Sequence, residues 1–301
     1  MVEHTRTIRK DTSGVIIITV SYVLIIGFAL ACLFPFVIMV SSSFTSENSI
    51  LTSGYNLWPR EYSLTAYELL LAHPDRILGS YIVTIALTSF GTLFGLFFVS
   101  MAGYALQRPD FVYRNRITFF VYFTTLFSGG LVPYYLLIAK YLNLKDNYLA
   151  VLLPLLMNPW LVILMKNFMK SIPHSITESA KMDGATDFRI YLSLILPLAK
   201  AGLATIGLFL ALGYWNEWYN SMLFLSPNVK YRPLQLLLYN IITSAEFIKN
   251  SAAASNIPPQ DVPAETMKMA SAVIATGPII ILYPFVQKYF IAGITIGAVK
   301  G

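Results

Sequence analysis

Charge is scarce in this chain. Only 12% of its residues are Asp, Glu, Lys or Arg, where a soluble domain carries about 25%. So few charges cannot cover a water-exposed surface, so a soluble globular fold is excluded and lipid must do the covering. Cysteine is nearly absent as well. Cys32 stands alone inside an apolar run, so no intrachain disulfide forms and redox chemistry says nothing about compartment. The three histidines, His4, His73 and His174, are scattered without metal-ligand spacing. No GxxxxGK[ST] run occurs, so the chain is not expected to be an ATPase or to carry a cofactor of its own. A membrane-embedded enzyme would need paired carboxylates, a Ser/His set or metal ligands inside its apolar runs, and the sequence offers none.

What is present is hydrophobicity, at 56% of residues with a mean hydropathy of +0.63. Almost charge-free windows predict six membrane spans, at about 15–40, 79–106, 117–139, 147–165, 201–225 and 269–287. The expected fold class is an all-α polytopic membrane protein. Residues 1–14 form an N-terminal tail, 15–290 the membrane domain and 291–301 a C-terminal tail. The first run is too long for a signal-peptide core and is expected to stay in the mature chain. Spans four and six each carry two prolines, Pro154 and Pro159, and Pro278 and Pro284. Proline frees a carbonyl that neighbours must satisfy, so both are expected inside a bundle. Gly91 and Gly95 make a small-xxx-small pair suited to close helix packing, or simply reflect the usual glycine content of membrane helices.

The net charge of +6 fits basic residues held on one side of a membrane better than a nucleic-acid partner. With the N-terminus inside, thirteen Lys and Arg fall on the cytoplasmic side and eight on the other, six of those eight in the long loops 41–78 and 226–268. Both termini are then expected in the cytoplasm, and both long loops outside. The outer loop 226–268 holds Ser251-Ala252-Ala253-Ala254-Ser255 and Pro258-Pro259, which suit disorder, and an apolar stretch Leu234–Ile242, which suits a packed segment.

Between spans four and five lies a polar island, 172–197, on the cytoplasmic side. Pro173 suits a first helical turn. Ile172, Ile176 and Ala180 recur at spacing four as one apolar stripe. Gly184 is placed to end that helix through a positive φ. Thr186 or Asp187 caps a second helix whose apolar face reads Phe188, Tyr191, Leu192 and Ile195. Ser179, Ala180 and Ala185 are small and allow a partner to approach closely. Such an insert is too structured for a connector and reads as a docking surface for a soluble partner.

Glu178-Ser179-Ala180, three residues, Gly184, nine residues, Leu194, one residue and Leu196-Pro197 resembles the EAA loop of permease subunits in binding-protein-dependent ABC importers. The family pattern is Glu-Ala-Ala, x3, Gly, x9, Ile, x, Leu-Pro; here Ser179 replaces Ala and Leu194 replaces Ile, both conservatively. Trp215-Asn216-Glu217-Trp218, followed by Leu223-Phe224-Leu225, resembles a Trp-Asn motif of the carbohydrate-uptake (MalG-like) branch. Ser128-Gly129-Gly130-Leu131-Val132-Pro133-Tyr134-Tyr135, Ala275–Ile280 and the ending Gly293–Gly301 look like the LplC/YtcP-type subgroup, associated with import of complex oligosaccharides or polysaccharide fragments. The resemblance runs from about residue 15 onward.

It implies a type I importer (MetI-like) fold with cytoplasmic coupling helices at 171–198. It also implies a second permease subunit in a heterodimer, two copies of a cytoplasmic ATPase subunit holding ATP and Mg, and an extracellular solute-binding protein toward which loop 226–268 would reach. The coupling residues would be Glu178, Ser179, Ala180, Asp183, Gly184 and Ala185, with Glu178 facing a basic group of the ATPase.

Glu217 is the only acidic residue inside a predicted span, and charge there is costly and usually functional. Tyr214, Trp215, Asn216, Trp218 and Tyr219 surround it, offering ring faces and an amide to a passing sugar. The same cluster also reads as an interfacial aromatic belt. A secondary transporter or channel working without ATP would instead show intramembrane ion relays and internal repeats; one carboxylate and no visible repeat argue against it.

Overall fold

The structure is a computed structural model that describes residues 12–254 and 263–298. Among these residues the secondary structure is helical, apart from one isolated antiparallel bridge between Thr45 and Tyr62. The N-terminal tail up to residue 11, the Pro258-Pro259 segment and residues 299–301 lie outside the described residues. The chain divides into two compact units, one combining residues up to Ala72 with Ile242–Ile274, the other His73–Ile241 with residues from Ala275 on.

The first unit begins with α1 (Thr12–Ser43), long and apolar enough to cross a membrane, whose span window buries nothing against its own chain. Ser46 then caps α2 (Glu47–Ser53) by accepting the Ser49 N–H at 3.2 Å, and α3 (Thr65–Leu71) follows. The buried Glu47 carboxylate accepts the N–H groups of Glu265 and Thr266 at 3.1 and 2.9 Å and the Thr266 hydroxyl at 3.1 Å. It thereby caps the start of α15 (Ala264–Ala298), where a carboxylate meets the positive end of the helix dipole. Segments from the two loops expected outside, 41–78 and 226–268, thus pack together.

The second unit is built around α4 (Pro74–Gln107), a 34-residue helix about 50 Å long at 1.5 Å per residue. That exceeds the roughly 30 Å hydrocarbon layer, so its ends project beyond the apolar span. α5 (Arg114–Leu126) is followed by α6 (Leu131–Leu136) with a π turn at Leu137–Tyr141. α7 (Leu149–Leu156) and α8 (Pro159–Lys170) follow. Then come α9 (His174–Met182), α10 (Asp187–Ile190), a π turn at Tyr191–Ile195 and α11 (Leu196–Leu198). α12 (Lys200–Trp215), α13 (Tyr219–Phe224) and α14 (Leu234–Ala254) complete the order before α15. The stretch Leu234–Ile242 is therefore the start of a 21-residue helix, with Leu234, Leu236 and Leu238 buried.

Three helices among the described residues are long and apolar enough to cross a membrane, and the count reaches six only if three bent pairs each act as one span. The pairs bend by 114° between α5 and the α6 segment, 40° between α7 and α8, and 86° between the α10–α11 segment and α12. The first two bends have a local cause in sequence. Gly130 takes φ +85 before α6. Asn158 accepts the Trp160 N–H at 2.9 Å and hands over to Pro159 at the first position of α8. Span five is not one helix to residue 225: it stops at Trp215 and resumes at Tyr219.

The core of this unit is α4 against α12 and α8. Gly91 and Gly95 do lie at a close approach. A Cβ on Gly91 would sit 2.3 Å from the Tyr214 ring, and one on Gly95 3.0 Å from Leu210. Gly103 meets α8 backbone, with Lys166 N at 3.0 Å from the position of a Cβ. Backbone cannot rotate away, so Gly103→Val is expected to cost about 1–3 kcal/mol through overpacking. The check is the apparent melting temperature of the detergent-solubilised chain, which should fall by a few degrees for Val and less for Ala.

Candidate functional site

The polar island folds as two helical segments around a tight turn. Ala185 N–H reaches the Ala180 carbonyl and Gly184 N–H the Lys181 carbonyl, both at 3.0 Å, which is a Schellman closure of α9. Gly184 supplies the positive φ, +79, that this closure requires. Nothing lies within 4 Å of where its Cβ would be. The missing side chain therefore leaves open space on the outer side of the turn rather than room for this chain's own atoms.

Around it the surface is open. Glu178, Ser179, Asp183 and Gly184 are exposed, Ala185 is half-buried and Ala180 is buried. Glu178 pairs with His174 one turn back at 3.7 Å and otherwise faces outward. Ile172 and Ile176 are half-buried and complete the inner stripe with Ala180, as the spacing predicts. The second helix differs from its predicted face: Ile190, Tyr191 and Ile195 are buried, whereas Phe188 and Leu192 are exposed. The π turn at 191–195 adds a residue to one turn and rotates the inward stripe. Met182, beside the turn, is 89% exposed. Met182 and Phe188 thus leave two apolar side chains exposed on either side of the turn, which spacing alone did not indicate.

A second feature at this end was not legible in sequence. Arg108, which follows α4 and is buried, grips Asp110 with Nε at 2.8 Å and with Nη2, and reaches Asp187 Oδ1 with Nη1 at 2.5 Å. Lys181 donates to Asp110 at 2.7 Å and lies 3.6 Å from Asp187. The hydrogen bonds from Arg108 and then Lys181 hold the Asp110 carboxyl well below its ordinary value of 3.8, and the Asp110 bond raises Arg108. The same bond raises Lys181. A depressed carboxyl contributes above its unfolded pKa and a raised lysine below its own. The stabilisation from the Asp110–Lys181 pair is therefore fully present from pH about 4 to about 10, is lost as pH falls through the lowered Asp110 value and is lost as pH rises through the raised Lys181 value. The Tyr191 hydroxyl adds a 2.7 Å bond to Ser100 of α4.

At the far end of α12 the six residues of the Tyr214–Tyr219 cluster split into two sets. Tyr214, Trp215 and Glu217 are turned inward. The Tyr214 hydroxyl donates to the Leu152 carbonyl at 2.8 Å, and Trp215 Nε1 to the Ala275 carbonyl at 3.1 Å. Glu217 accepts the Asn220 and Ser221 N–H groups at 2.5 and 3.3 Å and the Asn220 amide at 3.2 Å, capping α13. Asn216, Trp218 and Tyr219 are exposed. Trp218 stacks on Tyr239 with centroids 4.8 Å apart, and Asn216 Oδ1 accepts from Gln235 at 3.3 Å. Tyr219 borders a groove of about 480 Å³ that includes Ser128, Gly129, Gly130 and Tyr134. Stacked rings beside paired amides can take a sugar's C–H face and hydroxyls together.

An integral helical membrane protein with a preformed, exposed turn at one end and an aromatic–amide rim along the same chain segment is built as a translocation subunit. Comparisons with known proteins give the family. No family model matches. The chain is 38% identical over 282 residues to the polygalacturonan/rhamnogalacturonan transport system permease protein YtcP of Bacillus subtilis (strain 168), covering 93% of this chain and 96% of that protein. It is 36% identical over 276 residues to protein LplC of the same strain, covering 91% and 92%. It is also similar to a chain in the crystal structure of a bacterial ABC transporter involved in the import of the acidic polysaccharide alginate, with TM-score 0.75, 34% identity, and 93% and 98% of the two chains covered. The chain belongs to the permease subunits of carbohydrate ABC importers.

The inward set at the rim predicts a stability difference. Removing the Glu217 carboxylate leaves two buried N–H groups unpartnered, at a cost of about 1–3 kcal/mol. Glu217→Ala should therefore lower the melting temperature of the purified chain, and Asn216→Ala, at an exposed position, should leave it where it was.

Proposed function

We propose that the Gly184 turn docks into a cytoplasmic ATPase subunit and that the Asn216, Trp218 and Tyr219 rim borders the path of an oligosaccharide or polysaccharide fragment. One observation carries the docking reading: a turn held by its own Schellman bonds, with positive φ at Gly184, empty space outside it and exposed Met182 beside it. Glu178, Ser179, Ala180, Asp183 and Ala185 form the rest of the docking element, with Glu178 facing a basic group. Membership of the family supports a complex with a partner permease, an ATPase and a solute-binding protein. In this reading the permeases form a heterodimer, two ATPase copies bind the ATP and Mg, and both termini lie in the cytoplasm, as the basic-residue asymmetry favours. The substrate class follows the relatives, whose names give polygalacturonan or rhamnogalacturonan and alginate.

Two experiments test the two ends. Gly184→Val adds about 1 kcal/mol of backbone strain and fills the open side of the turn, so it should abolish uptake. Glu178→Lys should do so by charge reversal, and an acidic change on the ATPase should restore it. Co-purification of the ATPase together with solute uptake decides: normal binding and import in both variants would leave the island a plain loop.

At the rim, Asn216→Ala and Trp218→Ala should each cut uptake roughly tenfold, the scale of one or two lost sugar contacts at 1.4 kcal/mol per factor of ten. Membrane insertion and assembly should stay normal. Wild-type uptake in both would return the cluster to an aromatic belt.

A further inference from the structure

We propose that Arg108 is the positioning residue through which motion of the docking turn enters α4, so that it sets how much solute moves per ATP without touching the ATPase or the solute. The proposal rests on the docking reading of the Gly184 turn.

Its partners lie on both sides of that turn. Lys181 is in the last turn of α9, three residues before Gly184, and Asp187 opens α10, three residues after it. Asp110 lies in the link from α4 to α5 and joins Arg108 to Lys181. One guanidinium at the end of α4 is therefore tied to both arms of the turn, to α10 directly and to α9 through Asp110. The carboxylate of Asp110 is held side-on by two nitrogens of the fork, which fixes orientation as well as distance.

The surroundings suit a rigid joint. Arg108 is buried at a groove of about 400 Å³ whose other walls include Met101, Tyr104, Phe111, Phe188 and Tyr191. Its guanidinium lies 5.5 Å from the centre of the Tyr104 ring, and Arg114 donates to the Arg108 carbonyl at 3.3 Å. Apolar walls reduce screening and strengthen the ion pairs. The tip of the turn is otherwise exposed, from Lys181 to Gly184. Apolar contact holds the bases of its arms, at Ala180, Ile190 and Tyr191, and the charges hold the arms nearer the tip.

The other part of α4 completes the route. Gly91 lies against Tyr214 and Gly95 against Leu210, both on α12, and α12 leads directly into Asn216. Displacement received at Arg108 is carried along α4 to the helix that bears the rim. The docking turn thus acts on α12 along the chain, through α10 and α11, and also across the fold, through Arg108 and α4.

The test uses the complete importer in proteoliposomes, with its partner permease, ATPase subunits and solute-binding protein, reading ATP hydrolysis and solute uptake side by side. Arg108→Ala should retain the ATPase on co-purification and keep hydrolysis near wild type, while uptake per ATP falls about tenfold, within the range of a broken coupling of this kind. Arg108→Lys, which keeps the charge without the fork, should recover part of the loss. Asp187→Asn changes an exposed side chain at constant shape, and should lower uptake per ATP in the same direction. Combined with Arg108→Ala it should add less than its effect alone, because the two share the Arg108–Asp187 pair and only the longer Lys181–Asp187 contact, at 3.6 Å, is left to lose.

Unchanged uptake per ATP in Asp187→Asn and Arg108→Ala overturns the proposal. So does loss of ATPase binding in either, because the network would then only shape the docking surface. If Arg108→Ala fails to insert, Asp187→Asn decides alone. Gly184→Val run in parallel separates the two readings: if it abolishes uptake while the Arg108 and Asp187 variants stay coupled, docking stands and the joint does not.

Discussion

The close approach of α4 and α12 is the constraint on which the second unit depends. Inside a bilayer, apolar side chains gain little by leaving lipid for one another, so helices associate through shape and buried polar bonds. Gly91 lets the Tyr214 ring lie directly against the α4 backbone. That position brings the Tyr214 hydroxyl to the Leu152 carbonyl, which lies in the turn preceding Pro154. One glycine thus permits the contact that also ties in α7. Gly95, Gly103 and Gly207 continue the same logic against Leu210, α8 and Leu96.

With that seam fixed, the two ends of the unit take different chemistry. The seam itself contains hardly any charge. The charges sit beyond it, where α4 exceeds the apolar layer and Arg108 can be paired without a bilayer around it. A buried ion network is expensive inside hydrocarbon and weak at a fully wet surface. At the edge of the bundle, half-covered by aromatic rings, it is both affordable and directional. The same reasoning accounts for Glu217. Its carboxylate sits in an apolar run only because the chain breaks there and offers helix N–H groups to accept from.

The fold class and the glycine turn after α9 were legible in the sequence because both rest on local rules. Low charge and long apolar windows identify membrane helices, and α1, α4 and α15 match them directly. Gly184 was readable because only a residue free to take positive φ closes a helix in this way. The bends at Phe127–Gly130 and Ala199 were less legible, since hydropathy averages across a break without registering it. The inward face of the second island helix was misplaced for a related reason: a π turn changes the periodicity on which the reading depends. The Arg108 network was invisible because its members are separated by up to 79 positions and meet only when α4 returns beside α10. In sequence, Arg108 was one basic residue in a cytoplasmic loop.

The Trp-Asn-Glu-Trp motif is the clearest case of one short run carrying two jobs. A continuous helix would have distributed these side chains around its circumference at 100° per residue. The break after Trp215 instead turns Glu217 back onto the start of α13 and leaves Asn216 and Trp218 facing out. The outward pair then finds Gln235 and Tyr239, one turn apart on α14, so the amides and the rings are each matched. The inward residues build the shape, and the outward ones are held by it. Such a rim cannot be moved without moving α12, and α12 cannot shift without dragging Tyr214 across Gly91. Any conformational step that reaches α4 therefore reaches the rim as a displacement of paired groups, not as the loosening of single side chains.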